Sequence, residues 1–211
     1  EPDRACLDQA LELIRAARRP LILAGHGVIL SGAVREMTTF AERTSTPIAT
    51  TLLGIGAVPA AHPLNLGMMG MHGEAWVNQA IQEADLILAF GMRFDDRATG
   101  DTRTFAARAK KIHVEIDASE IHKNVQVDVP IVADLRETLR ALLAGLEPLD
   151  HAGWLERLAQ FRNGASPEAI LEDCGVLRAP RILHELCRAT GGRALMVTDV
   201  GQHQMWEAQY Y

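Results

Sequence analysis

Apolar runs of strand length alternate with amphipathic helical stretches over the first two-thirds of this chain, and that alternation predicts an α/β fold. The expected architecture is a doubly wound, mostly parallel, Rossmann-like sheet with helices on both faces, plus an incomplete second α/β domain. A second observation agrees with it: Gly-rich and charged loops follow the strand-like runs directly, where open α/β sheets bind ligands.

Leu7, Ala10, Leu11, Leu13 and Ile14 form a helical stripe between Cys6 and Ala17. Pro20 ends that helix, and residues 21–24 read as a buried strand. Ser31 is placed to cap a helix running to about Arg43, with Val34, Met37, Phe40 and Ala41 on one face. Residues 47–51 read as a second strand. The stretch from Gly54 to Gly73, with Pro59 and Pro63, reads as a long irregular loop, and such loops in compact domains are usually functional. A helix over 74–84 leads to a third strand at 86–90. A fourth strand follows at 112–116 and a fifth at 129–132, where Pro130 favours a strand start or a sheet edge. Leu135, Leu139, Leu142 and Leu143 line a closing helix. After Glu147-Pro148-Leu149-Asp150 the alternation stops. Residues 151–178, with a short helix near Trp154 and the breakers Asn163-Gly164 and Ser166-Pro167, read as a linker crossing the surface. A helix over 180–190, a strand at 194–198 and a helix from Gly201 then begin a second domain that these residues do not complete. The expected division is therefore 1–148, 149–178 and 179–211.

The composition, 48% apolar and 23% charged, is that of an ordinary soluble globular chain. A formal charge of −6 argues against a nucleic-acid-binding face. No apolar run approaches the roughly 20 residues that span a bilayer, and no secretory signal is seen. Cys6, Cys174 and Cys187 are far apart with no C-x-x-C pair, which fits a reducing compartment. Glu1 in place of Met is expected of a processed chain or a piece of a longer one.

Two loops carry the strongest chemical signals. In Gly67-Met68-Met69-Gly70-Met71-His72-Gly73, open backbone is mixed with adaptable thioethers ahead of a helix, whose N-terminal dipole favours a phosphate. A Met-rich loop packing on the sheet is the alternative. In Arg93-Phe94-Asp95-Asp96-Arg97, four charges in five positions follow a buried strand. They are costly there unless paired or bound to a ligand, and either arginine could fork a phosphate. A self-neutralising surface loop is the alternative. Gly25-His26-Gly27 follows the first strand as a dinucleotide fingerprint would. The third glycine position is Leu30, however, and no acidic residue lies about 20 residues on, which removes the NAD-type reading. A tight turn, or a turn passing close to another ligand, remains. Glu115 and Asp117 end the fourth strand, where acids accept from sugar hydroxyls. Asp134 could do the same or cap the helix that begins at Leu135. His72 alone is a base or a hydrogen-bond donor. No metal-ligand spacing and no catalytic triad can be placed.

Arg19–Gly25, Thr50-Thr51-Leu52-Leu53-Gly54, Gly67–Gly73, Phe90–Gly100, His113–Asp117 and Thr198-Asp199-Val200-Gly201-Gln202-His203-Gln204-Met205-Trp206 together resemble the catalytic large subunits of acetolactate synthase, which are thiamine diphosphate enzymes. The resemblance covers nearly the whole chain. It implies a three-domain cytoplasmic, bacterial enzyme in which residues 1–148 are the central, FAD-binding domain and residues from 179 open the C-terminal domain. It also implies that Gly25, Gly27, Thr51, Leu52, Met69, Gly70, Met71, His72, Gly91, Met92, Arg93, Phe94, Asp95, Glu115, Ile116, Asp134 and Leu135 line FAD. Glu115 stands where the family carries aspartate. Met71, Asp96 and Arg97 would face the substrate channel, and Gln202 and His203 the thiamine diphosphate.

The activity implied is decarboxylation of pyruvate and condensation with pyruvate or 2-oxobutanoate, using thiamine diphosphate and Mg2+, in branched-chain amino-acid biosynthesis. Partners would be further copies of the chain, in a homodimer or tetramer, and a small regulatory subunit, with no nucleic acid and no membrane. No catalytic residue and no metal ligand is expected within these residues, which alone would be inactive. Glyoxylate carboligase is the nearest rival, and a non-catalytic nucleotide-binding module is the rival of another class.

Overall fold

The computed structural model of the chain describes residues 1–164 and 175–211. Its contacts divide it into two compact units, Glu1–Phe161 and Arg162–Tyr211. In the first, the elements follow in the order α1 (Arg4–Ala16), β1 (Pro20–Ala24), α2 (His26–Leu30), α3 (Val34–Thr44), β2 (Ile48–Thr50), β3 (Asn65–Met68), α4 (Ala75–Glu83), β4 (Leu86–Phe90), α5 (Asp96–Thr99), β5 (Lys110–Glu115), β6 (Val129–Val132), α6 (Leu135–Ala144) and α7 (Ala152–Gly164). The six strands form one sheet in the order β3-β2-β1-β4-β5-β6, and every pairing is parallel. The chain winds outward from β1 to β3, returns to place β4 beside β1, and winds outward again to β6. This is the doubly wound α/β fold expected from the sequence, with its switch point between β1 and β4.

All residues of β1 and β4 are buried, because helices cover both faces of the sheet. Successive side chains on a strand point to opposite faces, and the two cores follow that alternation. Ile22, Ala24, Leu86, Leu88, Phe90, Ile112 and Val114 pack with α1, α3 and α6. Leu21, Leu23, Ile87 and Ala89 pack with Val77, Ala80 and Ile81 of α4 and with Trp154, Leu158 and Phe161 of α7.

Local differences from the expected elements have local causes. The region after Gly25 is not a bare turn but the short helix α2, which Ser31 ends: its hydroxyl donates to Gly27 O at 2.7 Å. Helix α3 therefore starts at Val34 and not after a cap at Ser31. Within the long stretch read as irregular lies β3, a four-residue strand whose register with β2 slips between Ile48 and Ala49. So short a strand, containing Gly67, leaves no periodicity to read.

Helix α7 is longer than the short helix expected near Trp154, and it is embedded. The indole donates to Pro20 O at 3.0 Å, and the Arg157 guanidinium sits 4.7 Å over the Phe161 ring. The His151 ring lies between Thr44 O at 2.6 Å and Ala17 O at 3.2 Å, stitching the start of this segment to the ends of α3 and α1. The helix is described as far as Gly164; Ser166-Pro167 and Cys174 lie outside the described residues.

The second unit contains α8 (Ala179–Thr190) and α9 (Gln202–Tyr210), joined near their ends by Thr190 Oγ1 and Tyr211 Oη at 2.8 Å. The strand expected at 194–198 does not form. Leu195 and Val197 are 96% and 93% exposed, and a strand without a neighbour to complete its backbone hydrogen bonds has nothing to hold it.

Candidate functional site

Every residue that the resemblance assigns to FAD lies at or just beyond the carboxyl end of a strand. Gly25 and Gly27 follow β1, Thr51 and Leu52 follow β2, and Met69–His72 follow β3. Gly91–Asp95 follow β4, Glu115 and Ile116 end and follow β5, and Asp134 and Leu135 follow β6. Open α/β sheets present their ligand crevice along this rim.

At the switch point the rim is closed by backbone against backbone. Gly25 N donates to Phe90 O, and Gly27 N to Gly91 O, both at 2.9 Å. A Cβ on Gly27 would stand 2.6 Å from Gly91 Cα. Gly91 N is likewise taken by Val114 O. These amides are spent inside the protein. A ligand passing here would meet close-packed backbone and not a ring of open N–H donors.

The β4 loop alternates inward and outward. Met92 and Phe94 are buried, while Arg93 is exposed and Asp95 partly so. Two side chains hold its carbonyls: His113 Nε2 donates to Met92 O, and Asn124 Nδ2 to Phe94 O, both at 2.8 Å. The His113 ring also meets Phe94 edge-on at 4.9 Å. Burial, as the largest influence, pushes the His113 pKa below its ordinary value. Its Nδ1 has no partner among the described residues, as expected of the neutral tautomer that donates from Nε2. On the same strand Lys111 Nζ donates to Ala106 O and Ala109 O at 2.9 and 3.0 Å, tying down the chain that precedes β5.

Of the four charges in this loop, Asp95 caps α5 by accepting from Ala98 N, and Arg93 lies 3.8 Å from it. The Arg97 guanidinium reaches the Met71 sulfur at 3.6 Å. Three assigned polar residues thus have structural work at the ends of strands. Thr51 accepts from Gly54 N, Asp95 caps α5, and Asp134 caps α6 by accepting from Glu137 N at 3.0 Å. Glu115 Oε1 folds back to its neighbour's amide, Ile116 N, at 2.9 Å. Leu135 is 5% exposed and packs in the core, so only its backbone is available to a ligand.

The two glycine- and charge-rich loops touch. Met71 N donates to Arg97 O at 2.9 Å. Because β3 lies three places from β4 in the sheet, this contact bridges the ends of β2 and β1, a span of about 14 Å. Apolar side chains stand exposed along the rim: Leu52, Met71 and Ile116 are 45%, 57% and 70% exposed. With the Arg93 guanidinium and the carboxylates of Asp95 and Glu115, they match in chemistry a ligand that combines flat apolar rings with phosphates and hydroxyls. Gln202 and His203 lie in the second unit, exposed in the first turn of α9. Among the described residues no group of three or more His, Cys, Asp or Glu is placed to hold a metal ion.

The model of the thiamine pyrophosphate enzyme central domain matches residues 7–142. This chain belongs to that family. The match covers all of the doubly wound sheet. Among curated relatives, the chain is 43% identical to a probable acetolactate synthase large subunit of Methanocaldococcus jannaschii over 97% of its length, which is 36% of that protein. It is 42% identical to the acetolactate synthase large subunit of Corynebacterium glutamicum, over 99% of the chain and 34% of the relative. It is also 42% identical to the chloroplastic acetolactate synthase 2 of Zea mays, over 100% of the chain and 33% of the relative. The chain thus spans about a third of the length of these relatives. The family resemblance read from the sequence is borne out. Sequence reasoning missed the residues that hold the loops of this thiamine pyrophosphate enzyme domain, Asn78, His113 and Asn124. Only His113 left a signal, a polar residue within an otherwise apolar strand.

Proposed function

We propose that this chain forms the flavin-binding central part of an acetolactate synthase. The enzyme containing it would decarboxylate pyruvate and join the product to pyruvate or 2-oxobutanoate, yielding a 2-aceto-2-hydroxy acid for branched-chain amino-acid synthesis. The observation that carries this reading is the bridge between the β3 and β4 loops over the switch point, in a chain 42% identical to acetolactate synthases along nearly its whole length.

Residues 1–148 would be the central domain, 149–178 the connection, whose helix α7 packs back on that domain, and 179–211 the start of a thiamine diphosphate-binding domain. FAD would lie along the rim, with Leu52, Met71 and Ile116 against its apolar surface, Arg93 near its phosphates and Glu115 near a sugar hydroxyl. Close-packed Gly25, Gly27 and Gly91 would let it pass near the backbone. Met71, Asp96 and Arg97 would face the path of the 2-oxo acid. Arg97 would attract its carboxylate, and the Met71 side chain beside it would exclude water. Gln202 and His203 would approach the diphosphate. When bound with Mg2+, thiamine diphosphate supplies the electron sink for loss of CO2 and for carbon–carbon bond formation. FAD would serve as a structural element with no net redox role. A homodimer or tetramer, a regulatory subunit and a cytoplasmic setting complete the proposal. No helix among the described residues is long and apolar enough to cross a membrane.

The test is product analysis of the full-length protein carrying this span. With thiamine diphosphate, Mg2+ and FAD, pyruvate should yield acetolactate. Tartronate semialdehyde from glyoxylate, without acetolactate, would reassign it to glyoxylate carboligase; neither product, with nucleotide still bound, would favour a non-catalytic module.

A further inference from the structure

The bridge has a keystone that neither the family match nor the relatives' names assign. Gly70 is buried in the β3 loop with φ +96°, and a Cβ on it would stand 2.5 Å from Arg97 O. β3 has already ended at Met68, so Gly70 has no neighbouring strand to meet its backbone. One side chain replaces that strand. Asn78 Oδ1 accepts from Gly70 N at 2.9 Å, and Asn78 Nδ2 donates to Gly70 O at 2.8 Å. Asn78 sits in α4, which is anchored to the sheet by buried Val77, Ala80 and Ile81. The residue after Gly70 then makes the bridge itself, through Met71 N and Arg97 O.

We propose that Asn78 is a positioning residue whose amide locks Gly70, so that the Met69–Gly73 loop is held against Arg97 and the strap over β2 and β1 stands formed before any ligand arrives. The lock draws its rigidity from α4 and passes it to a loop held besides by Met69 N on Thr50 O and Gly73 N on Gly70 O. Its role toward flavin rests on the reading given above. A preformed site saves the ordering cost that a ligand would otherwise meet.

The chemistry of the pairing supplies a reversible test. Asn78→Asp keeps the size and the acceptor but replaces the donor. Ionised, the carboxylate sets a second oxygen against Gly70 O and the lock opens. Protonated, the carboxylic acid again offers one donor and one acceptor, and the lock re-forms. Asn78→Ala removes it at every pH. Hydrogen exchange of the full-length protein, corrected for intrinsic rates, reads this directly. Peptides spanning 67–73 and 93–99 should both exchange about tenfold faster in Asn78→Asp at pH 7.5, the consequence of a partly buried hydrogen bond turned repulsive. Protection should return on acidification in this variant and not in Asn78→Ala. His72, Glu74, Arg93, Asp95, Asp96 and Arg97, the other titratable and charged side chains of these loops, are common to the proteins compared. Bound flavin, followed by fluorescence, should weaken and recover in step. Unchanged protection in either segment, or flavin affinity unaffected by a lost lock, would overturn the proposal. An unsubstituted protein that retains no flavin would instead remove the flavin reading and leave the lock to be decided by exchange alone.

Discussion

Arg93-Phe94-Asp95-Asp96-Arg97 was conspicuous in the sequence because charge directly after a buried strand is expensive, and the structure shows how that cost is met. Phe94 turns inward, Asp95 caps a helix, and Arg97 rests on a thioether. Asn78 gave no such signal, since an asparagine in an amphipathic helix is ordinary until its partner is known. Glycines divide in the same way. Gly27 and Gly153 look alike in the sequence, yet Gly27 abuts Gly91 and Gly153 has nothing within 4 Å of an added Cβ. Gly27→Ala should therefore lower stability by about 1–3 kcal/mol through overpacking of backbone against backbone. Gly153→Ala, in α7, should raise it by up to about 1 kcal/mol through helix propensity. Paired thermal melts check both signs, and equal effects would show that the close approach at the switch point is not rigid.

Elements with strong periodicity were legible in the sequence. The stripes of α1, α3 and α6 and the apolar runs of β1, β4 and β5 lie where their patterns place them, within a residue or two at most ends. Elements defined by their neighbours were not. β3 exists because β2 offers it an edge, and the expected strand at 194–198 is absent for want of one. Pairing between helices is also a tertiary matter. Glu36 on α3 accepts from Arg136 Nε at 2.9 Å and Arg140 Nε at 3.1 Å on α6, 100 and 104 residues away. The Arg136 hydrogen bond, ahead of the other influences, holds the Glu36 carboxyl below its ordinary range. A carboxylate lowered on folding contributes stability above its unfolded pKa and loses it as pH falls through the folded one. Glu36→Gln should cost about 0.5–1 kcal/mol at neutral pH, a figure moderated by the half-exposed arginines. The cost should shrink as pH falls below about 4, the ordinary glutamate value, toward the lowered value of the folded carboxyl. Denaturant midpoints at pH 7 and pH 3.5 measure it, and a constant difference would mean that the pair is not ionic.

For the molecule as a whole, the buried histidine beneath the β4 loop couples acidity to global stability. His113 is 0% exposed, and burial lowers its pKa, so the unfolded chain binds the proton more readily than the folded one. Stability then rises with pH up to the ordinary histidine value, about 6.5, and is lost as pH falls below it. His113→Gln, which retains a donor for Met92 O, should show a smaller drop in Tm between pH 7 and pH 5 than the unsubstituted protein; an equal drop would assign the acid sensitivity to other groups. The sequence by itself determined the α/β class, both apolar faces of the sheet and the family. These follow from local periodicity and from contiguous phrases such as Gly70-Met71-His72-Gly73. Only the tertiary structure decided that the β3 and β4 loops meet across the switch point, that Asn78 holds Gly70, and that α7 closes the second face. The physical reason is that backbone polar groups and buried apolar surface must find partners wherever the fold brings them, and no local pattern records which distant residue that will be.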